Sequence, residues 1–184
     1  MENEELRNVL GTLDDLLSST NLENVNEENT GYSELKDGYY LSEVEKANLT
    51  MSKSSKQPMV AFQFKIVEDG KDAEMNEDGT VNVTTIKNTK NRKVFMYYVL
   101  KDESAVKRFV SDMLKFEGSE PNKPLLEKEY FTNSQLIEDA LDVLVGRRIF
   151  IQVSSFERED GTTGTWQNLI TWKRASYLDL IKEN

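Results

Sequence analysis

Residues 92–101 read RKVFMYYVLK: a cationic pair, seven consecutive apolar or aromatic residues, and a closing lysine. Alternate side chains of an extended strand point to opposite faces, so Val94, Met96, Tyr98 and Leu100 share one face and Phe95, Tyr97 and Val99 the other. One face belongs to a core. The second is either buried as well, as in a strand covered on both sides, or open and available for binding. Lys93 and Lys101 stand in line with that second face. After Leu100 the apolar period changes from two to three or four, with Val106, Phe109, Val110, Met113 and Leu114 in register for a helix of about four turns. Asp102 or Ser104 is placed to cap its first amides, and Gly118 lies near its end. A strand running directly into a helix here is the pivot of the chain.

On either side of that pivot the pattern is mostly extended. A strand is expected from Tyr39 to Met51, then the loop SKSSKQ, then a strand from Met59 to Glu68. Residues 69–91 carry EDG, EDG and KNTKN turn signals around the alternating piece TVNVTTI, a long connection with room for a small hairpin. Beyond the first helix, the proline-containing stretch GSEPNKPLLEKEYF leads to a second one. It starts near Thr132 or Asn133, carries Leu136, Ile137, Ala140, Leu141, Leu144 and Val145, and stops at Gly146. RRIFIQVSSF and TWQNLITWKR follow as two strands, joined into a hairpin by EREDGTTG. A short C-terminal helix is expected in SYLDLIKE. Three strands, a helical insertion and two more strands is the connectivity of an OB-fold, a partly open five-stranded barrel. An α+β sheet with helices on one side is the competing architecture.

Composition narrows the chemistry. The 184 residues suit one domain with an appendage, since domains cluster near roughly 100 to 150 residues. No apolar run approaches the roughly 18 residues of a membrane span, and the acidic start MENEELRNVL lacks the features of a signal peptide, so a soluble cytoplasmic protein is expected. Cysteine and histidine are both absent. That removes disulfides, thiolate zinc sites, thiol nucleophiles and the commonest general base. The carboxylates have no metal-ligand spacing, DGKDAEMNEDG departs from a calcium loop, and there is no phosphate-binding glycine loop with a lysine. Neither a catalytic residue nor a metal or cofactor is assigned, and a non-enzymatic protein is expected.

The net charge of −10 is unevenly spread: residues 1–38 hold ten acids against Arg7 and Lys36, leaving only −2 on residues 39–184. Within that acidic arm, Leu6, Val9, Leu10, Leu13, Leu16 and Leu17 recur at three and four, the mark of an amphipathic helix. The expected organisation is an acidic amphipathic helix over 1–20, a flexible acidic linker over 21–37, and the OB-fold-like domain over 38–184.

In an OB-fold the second and third strands, with the loops joining strands one to two and four to five, line the ligand groove. The second strand sends Val60, Phe62, Phe64 and Ile66 to the core and leaves a mixed face that includes Gln63 and Lys65. The third offers Arg92, Lys93, Phe95, Tyr97 and Lys101. Rings between cations suit a single strand of nucleic acid, because every base has a face to stack and every linkage a charge to neutralise. Lys53 and Lys56 in the first loop, Arg148 and Phe150 on the fourth strand, and Trp166 and Lys173 on the last complete the candidate set. Trp172 is assigned to the core, and Trp166, at the mouth of the last hairpin loop, to stacking. Each feature also has a bland reading: a helix covering Phe95 and Tyr97, a solvated SKSSKQ turn, charged strand ends.

The segments DGYYLSEVEKANLTMSKSSKQPMVAFQFKIVEDG, NRKVFMYYVLK and LVGRRIFIQV, with the tryptophan-containing hairpin strand after them, resemble the bacteriophage single-stranded-DNA-binding proteins of recombination and replication genes. The similarity covers roughly residues 37–174. It implies an OB-fold that coats single-stranded DNA in the infected bacterial cytoplasm without catalysis. It does not reach the acidic arm, whose leucine face (Leu6, Leu10, Leu13, Leu17) is expected to dock on a replication or recombination protein or to compete with DNA. The alternative function is an interaction module in which that arm is the active part and the barrel a scaffold.

Overall fold

In the computed structural model, residues 34–181 are described; the expected helix over 1–20, with its candidate docking residues Leu6, Leu10, Leu13 and Leu17, lies outside them. The chain divides into two units at Glu34 and Leu35. The last residues of the expected linker belong to the second unit. Leu35 packs on the core, the Lys36 carbonyl accepts from the Tyr40 hydroxyl at 2.6 Å, and the Asp37 carboxylate accepts from the amide and hydroxyl of Ser155.

The elements run in the order β1 (Gly38–Met51), β2 (Pro58–Ile66), β3 (Gly70–Met75), β4 (Val81–Ile86), β5 (Lys93–Val99), α1 (Glu103–Met113), a 3-10 turn (Lys128–Phe131), α2 (Ser134–Leu144), β6 (Arg148–Glu157), β7 (Thr163–Ile170) and α3 (Trp172–Tyr177). All strand pairs are antiparallel. β1 is the long central strand: residues 42–51 pair with β2, 38–43 with β6, and Tyr39 meets Lys71 of β3. β5 pairs with β2, and β7 with β6. The expected five-stranded barrel therefore needs two corrections. Among the described residues the sheet has seven strands, because residues 70–86 form the hairpin β3–β4, and it does not close, because no ladder joins β5 to β7.

One irregularity keeps β1 useful along its length. The register with β2 slips between Val44 and Lys46, so Glu45 is an extra residue. Side chains facing the core are Tyr40, Ser42 and Val44 before it, and Ala47 after it. A bulge of one residue shifts the alternation by one, and the core face is preserved across the bend.

The main core lies between the sheet and helices α1 and α2. Val60, Phe62, Phe64 and Ile66 of β2 meet Val94, Met96 and Tyr98 of β5, Phe109 and Met113 of α1, and Ala140, Leu141 and Leu144 of α2. Rings run through it in sequence, Phe64 to Phe62 at 5.5 Å, Phe62 to Tyr98 at 6.0 Å and Tyr98 to Phe109 at 5.4 Å. Each buried phenylalanine contributes about 1.5–3 kcal/mol. Helix starts follow the expected caps: Asp102 accepts from the Ala105 amide at 2.8 Å, and Asn133 from that of Leu136 at 3.0 Å. No helix among the described residues is long and apolar enough to cross a membrane.

A second, smaller core lies under the C-terminal helix. Phe150, Ala175, Leu178 and Leu180 are buried together, with Tyr39, Leu41, Ile170 and Trp172 packed on them. Two expectations change here. Phe150 is 2% exposed, with Trp172 edge-on at 5.4 Å, so it is a core residue and not a stacking platform. Trp172 does pack in a core, but as the first residue of α3: Thr171 caps the helix by accepting from the Arg174 amide at 3.1 Å. The helix thus begins earlier than SYLDLIKE, and Leu178 and Leu180 follow it as apolar anchors.

Candidate functional site

The question posed by RKVFMYYVLK has a direct answer in the burial of its side chains. Val94, Met96 and Tyr98 are buried, while Phe95 and Tyr97 are 48% and 60% exposed. Neither α1 nor α2 covers them. Both helices pack on the opposite face, where Phe109 and Met113 of α1 and Ala140, Leu141 and Leu144 of α2 share a core with Val94, Met96 and Tyr98.

Phe95 and Tyr97 form one wall of a cleft of about 670 Å³ that occupies the gap between β5 and β7. Trp166, 52% exposed, and Gln167 of β7 stand on the other side, and Lys101, Ser104 and Arg108 line its α1 end. Lys101 and Arg108 are exposed, and among the described residues neither is in a salt bridge. Asp102 also borders the cleft, with its carboxylate engaged in the helix cap.

Two arrangements hold the walls in place. Beneath the cleft, the buried Tyr98 hydroxyl donates to Asp112 Oδ2 at 2.9 Å. Lys115 Nζ donates to Asp112 Oδ1 at 2.6 Å and to the Leu169 carbonyl of β7 at 2.8 Å. A side-chain bridge from β5 through α1 to β7 thus stands where a β-ladder would otherwise join the edges. Burial, reinforced by the Asp112 charge, pushes the Tyr98 hydroxyl well above the usual tyrosine range, so it remains a donor at any physiological pH. On the β7 side, Trp166 stacks on Phe156 with centroids 4.9 Å apart and planes 28° from parallel, and the Arg158 guanidinium sits 5.8 Å from the Phe156 centroid. Phe156 lies against Gly164, where a Cβ would come within 2.4 Å of the ring. The glycine is what allows the Phe156 ring to lie there.

Of the twelve residues proposed from sequence, four meet in this cleft: Phe95, Tyr97, Lys101 and Trp166. Lys93 and Arg148 point at the acids of β1. Lys93 Nζ contacts both carboxylate oxygens of Glu45, and Arg148 Nε donates to Glu43 at 3.1 Å. The Lys93 hydrogen bond, helped by one from Gln63, holds the Glu45 carboxyl below its usual range. Lys65 is half-buried opposite Lys93 on β2, and Arg92 is half-buried in the turn before β5. Lys53 and Lys56 are exposed in the β1–β2 turn, Lys173 is exposed on α3, and Phe150 is in the second core. The sequence reading missed Arg108 and the Phe156–Gly164 pair. An arginine on the polar side of a helix looks like a solvated charge, and Gly164 looks like part of a turn. The available signal was that Phe156 and Trp166 are two positions apart diagonally once the hairpin register is set by Asp160-Gly161.

No group of three or more histidine, cysteine or acidic side chains among the described residues is arranged to hold a metal ion. The chain matches no protein-family model, and no curated protein is similar to it. What the cleft can bind is therefore decided by its geometry.

Proposed function

We propose that this chain is a non-enzymatic, largely sequence-independent single-stranded-DNA-binding protein that acts in bacteriophage DNA replication or recombination. The observation that carries the reading is the convergence of Phe95, Tyr97 and Trp166 with Lys101 and Arg108 on one open cleft. Exposed rings gathered on one cleft mark a binding surface, and bases stack on them without regard to sequence. The two cations supply the phosphate contacts. In this reading β1, β2, β5, β6 and β7 are the five strands of an OB-like barrel left open between its third and fifth strands, and β3–β4 is an extension of the loop between the second and third. The cleft then lies between the third and fifth strands, and its Phe95 and Tyr97 wall belongs to the third, one of the two strands whose face binds oligonucleotides in such barrels.

The test is a titration of the full chain with oligo(dT), followed by fluorescence anisotropy at low salt. Quenching of Trp166 fluorescence should accompany binding, since its ring is half exposed and stacks in the complex. Absence of a complex at low salt overturns the proposal.

A further inference from the structure

The cleft is bounded by two strand edges, and the registers show which backbone groups those edges present. In the β2–β5 ladder the Leu100 amide donates to Pro58 and the Ile66 amide to Arg92. In an antiparallel pair the hydrogen-bonded residues alternate, so Val94, Met96 and Tyr98 also face β2, and the N–H and C=O of Phe95, Tyr97 and Val99 face away from it. In the β6–β7 ladder the Arg158 amide donates to Thr162, so the same alternation turns Thr165, Gln167 and Leu169 away from β6. The Leu169 carbonyl is taken by Lys115. Phe95, Tyr97 and Val99 on one rim and Thr165 and Gln167 on the other all line the cleft. No ladder joins the two edges, so these groups face the space a ligand would enter.

A ligand that displaces water from such rims must replace the hydrogen bonds it removes, or lose affinity. It must therefore carry donors and acceptors in one plane, at the edge of something flat enough to lie against an exposed ring. An unpaired nucleobase has that form. The charge of the cleft, Lys101 and Arg108 with its bordering acid occupied in a cap, favours a polyanion over a peptide strand. Resting on the single-stranded-DNA reading, we infer that the free edges of β5 and β7 hydrogen-bond the pairing edges of bases stacked in the cleft. Selectivity for single strands follows, because a duplex has already used the edges that the backbone groups engage.

The experiment compares oligo(dT) with an oligonucleotide of the same length in which every thymine is methylated at N3. Charge, sugar and stacking face are retained, and only the pairing edge is blocked. Binding to the methylated strand should be about tenfold weaker or worse, as expected when two or more bases can no longer form their hydrogen bonds. The amides of Phe95, Tyr97, Thr165 and Gln167 should also be protected from hydrogen exchange in the oligo(dT) complex. Equal affinity for the two strands, or unprotected amides in the complex, overturns the inference and leaves DNA binding standing. Failure of both strands to bind at low salt overturns the DNA reading itself.

Discussion

Phe95 and Tyr97 are exposed on a strand whose alternate residues are all buried, so their removal costs the fold little. Replacing both with alanine should leave the melting temperature nearly unchanged and weaken oligo(dT) binding by tenfold or more, since each stacked ring is worth about 1–3 kcal/mol. Unfolding of the double variant in a thermal melt, or unchanged affinity in the titration, contradicts this account of the pair. Lys101 and Arg108 act differently, through charge. Their double replacement by alanine should flatten the dependence of log affinity on log salt by about 1.4, near 0.7 for each single-strand phosphate that is no longer neutralised. Asp112 is the residue to remove for the opposite effect. Asp112→Ala strands the buried Tyr98 hydroxyl and frees Lys115, and should cost about 1–3 kcal/mol in urea unfolding. Tyr98→Phe, which takes away only one partner of the bridge, should cost less.

The same four residues recur at two hairpins, and the elements they form show what local sequence can and cannot reveal. EDGT at 77–80 and at 159–162 folds alike: Gly79 and Gly161 have φ of +83° and +80°, and the Asp78 and Asp160 carboxylates accept from the amide and hydroxyl of the threonine two residues on. The threonine hydroxyl and then its amide hold both carboxyls below their usual range. Their folded values are depressed, so their contribution to stability is complete above the unfolded value near 3.9 and is lost as pH falls through the folded ones. Carbon-detected titration of Thr80→Ala and Thr162→Ala should show the matching aspartate moving back up, and no movement would remove the hydroxyl from the explanation. EDGK at 68–71 shares the first three letters and makes no such turn. Asp69 instead accepts from the amides of Thr89 and Lys90, and Gly70 has no room for a side chain against the Tyr40 ring. Five of the strands, the two longer helices and their caps were legible because alternation, the helical period and capping are local, whereas GKDAEM of β3 has no apolar alternation to mark it. Which face of β6 is buried was not, because RIFIQV alternates the same way whether or not α3, two elements later, lies over Phe150. Gly164→Ala tests another packing arrangement of this kind: displaced Phe156 should release Trp166 and change its fluorescence, with about 1–3 kcal/mol of destabilisation.

At the scale of the whole molecule, the chain order of strands and helices was readable, and it pointed to a barrel. Closure was not readable, because it depends on whether two distant edges, β5 and β7, come into register, and no local pattern encodes that distance. Here the helix after β5 bridges them through Tyr98, Asp112 and Lys115, and the opening above the bridge becomes the cleft. The candidate site was half legible for the same reason. Phe95, Tyr97, Lys101 and Trp166 could be named from strand parity, whereas the pairing of Lys93 and Arg148 with β1 acids depends on strand neighbours. The central claim is that this opening binds a single strand of DNA. Its most direct test is a salt-dependent anisotropy titration of the full chain against oligo(dT) and a blunt duplex of equal length. Affinity for oligo(dT) should fall with salt with a log–log slope of at least about −1.4, for two phosphate contacts, and the duplex should bind far more weakly. No complex with oligo(dT) at low salt, or equal affinity for the duplex, would contradict it.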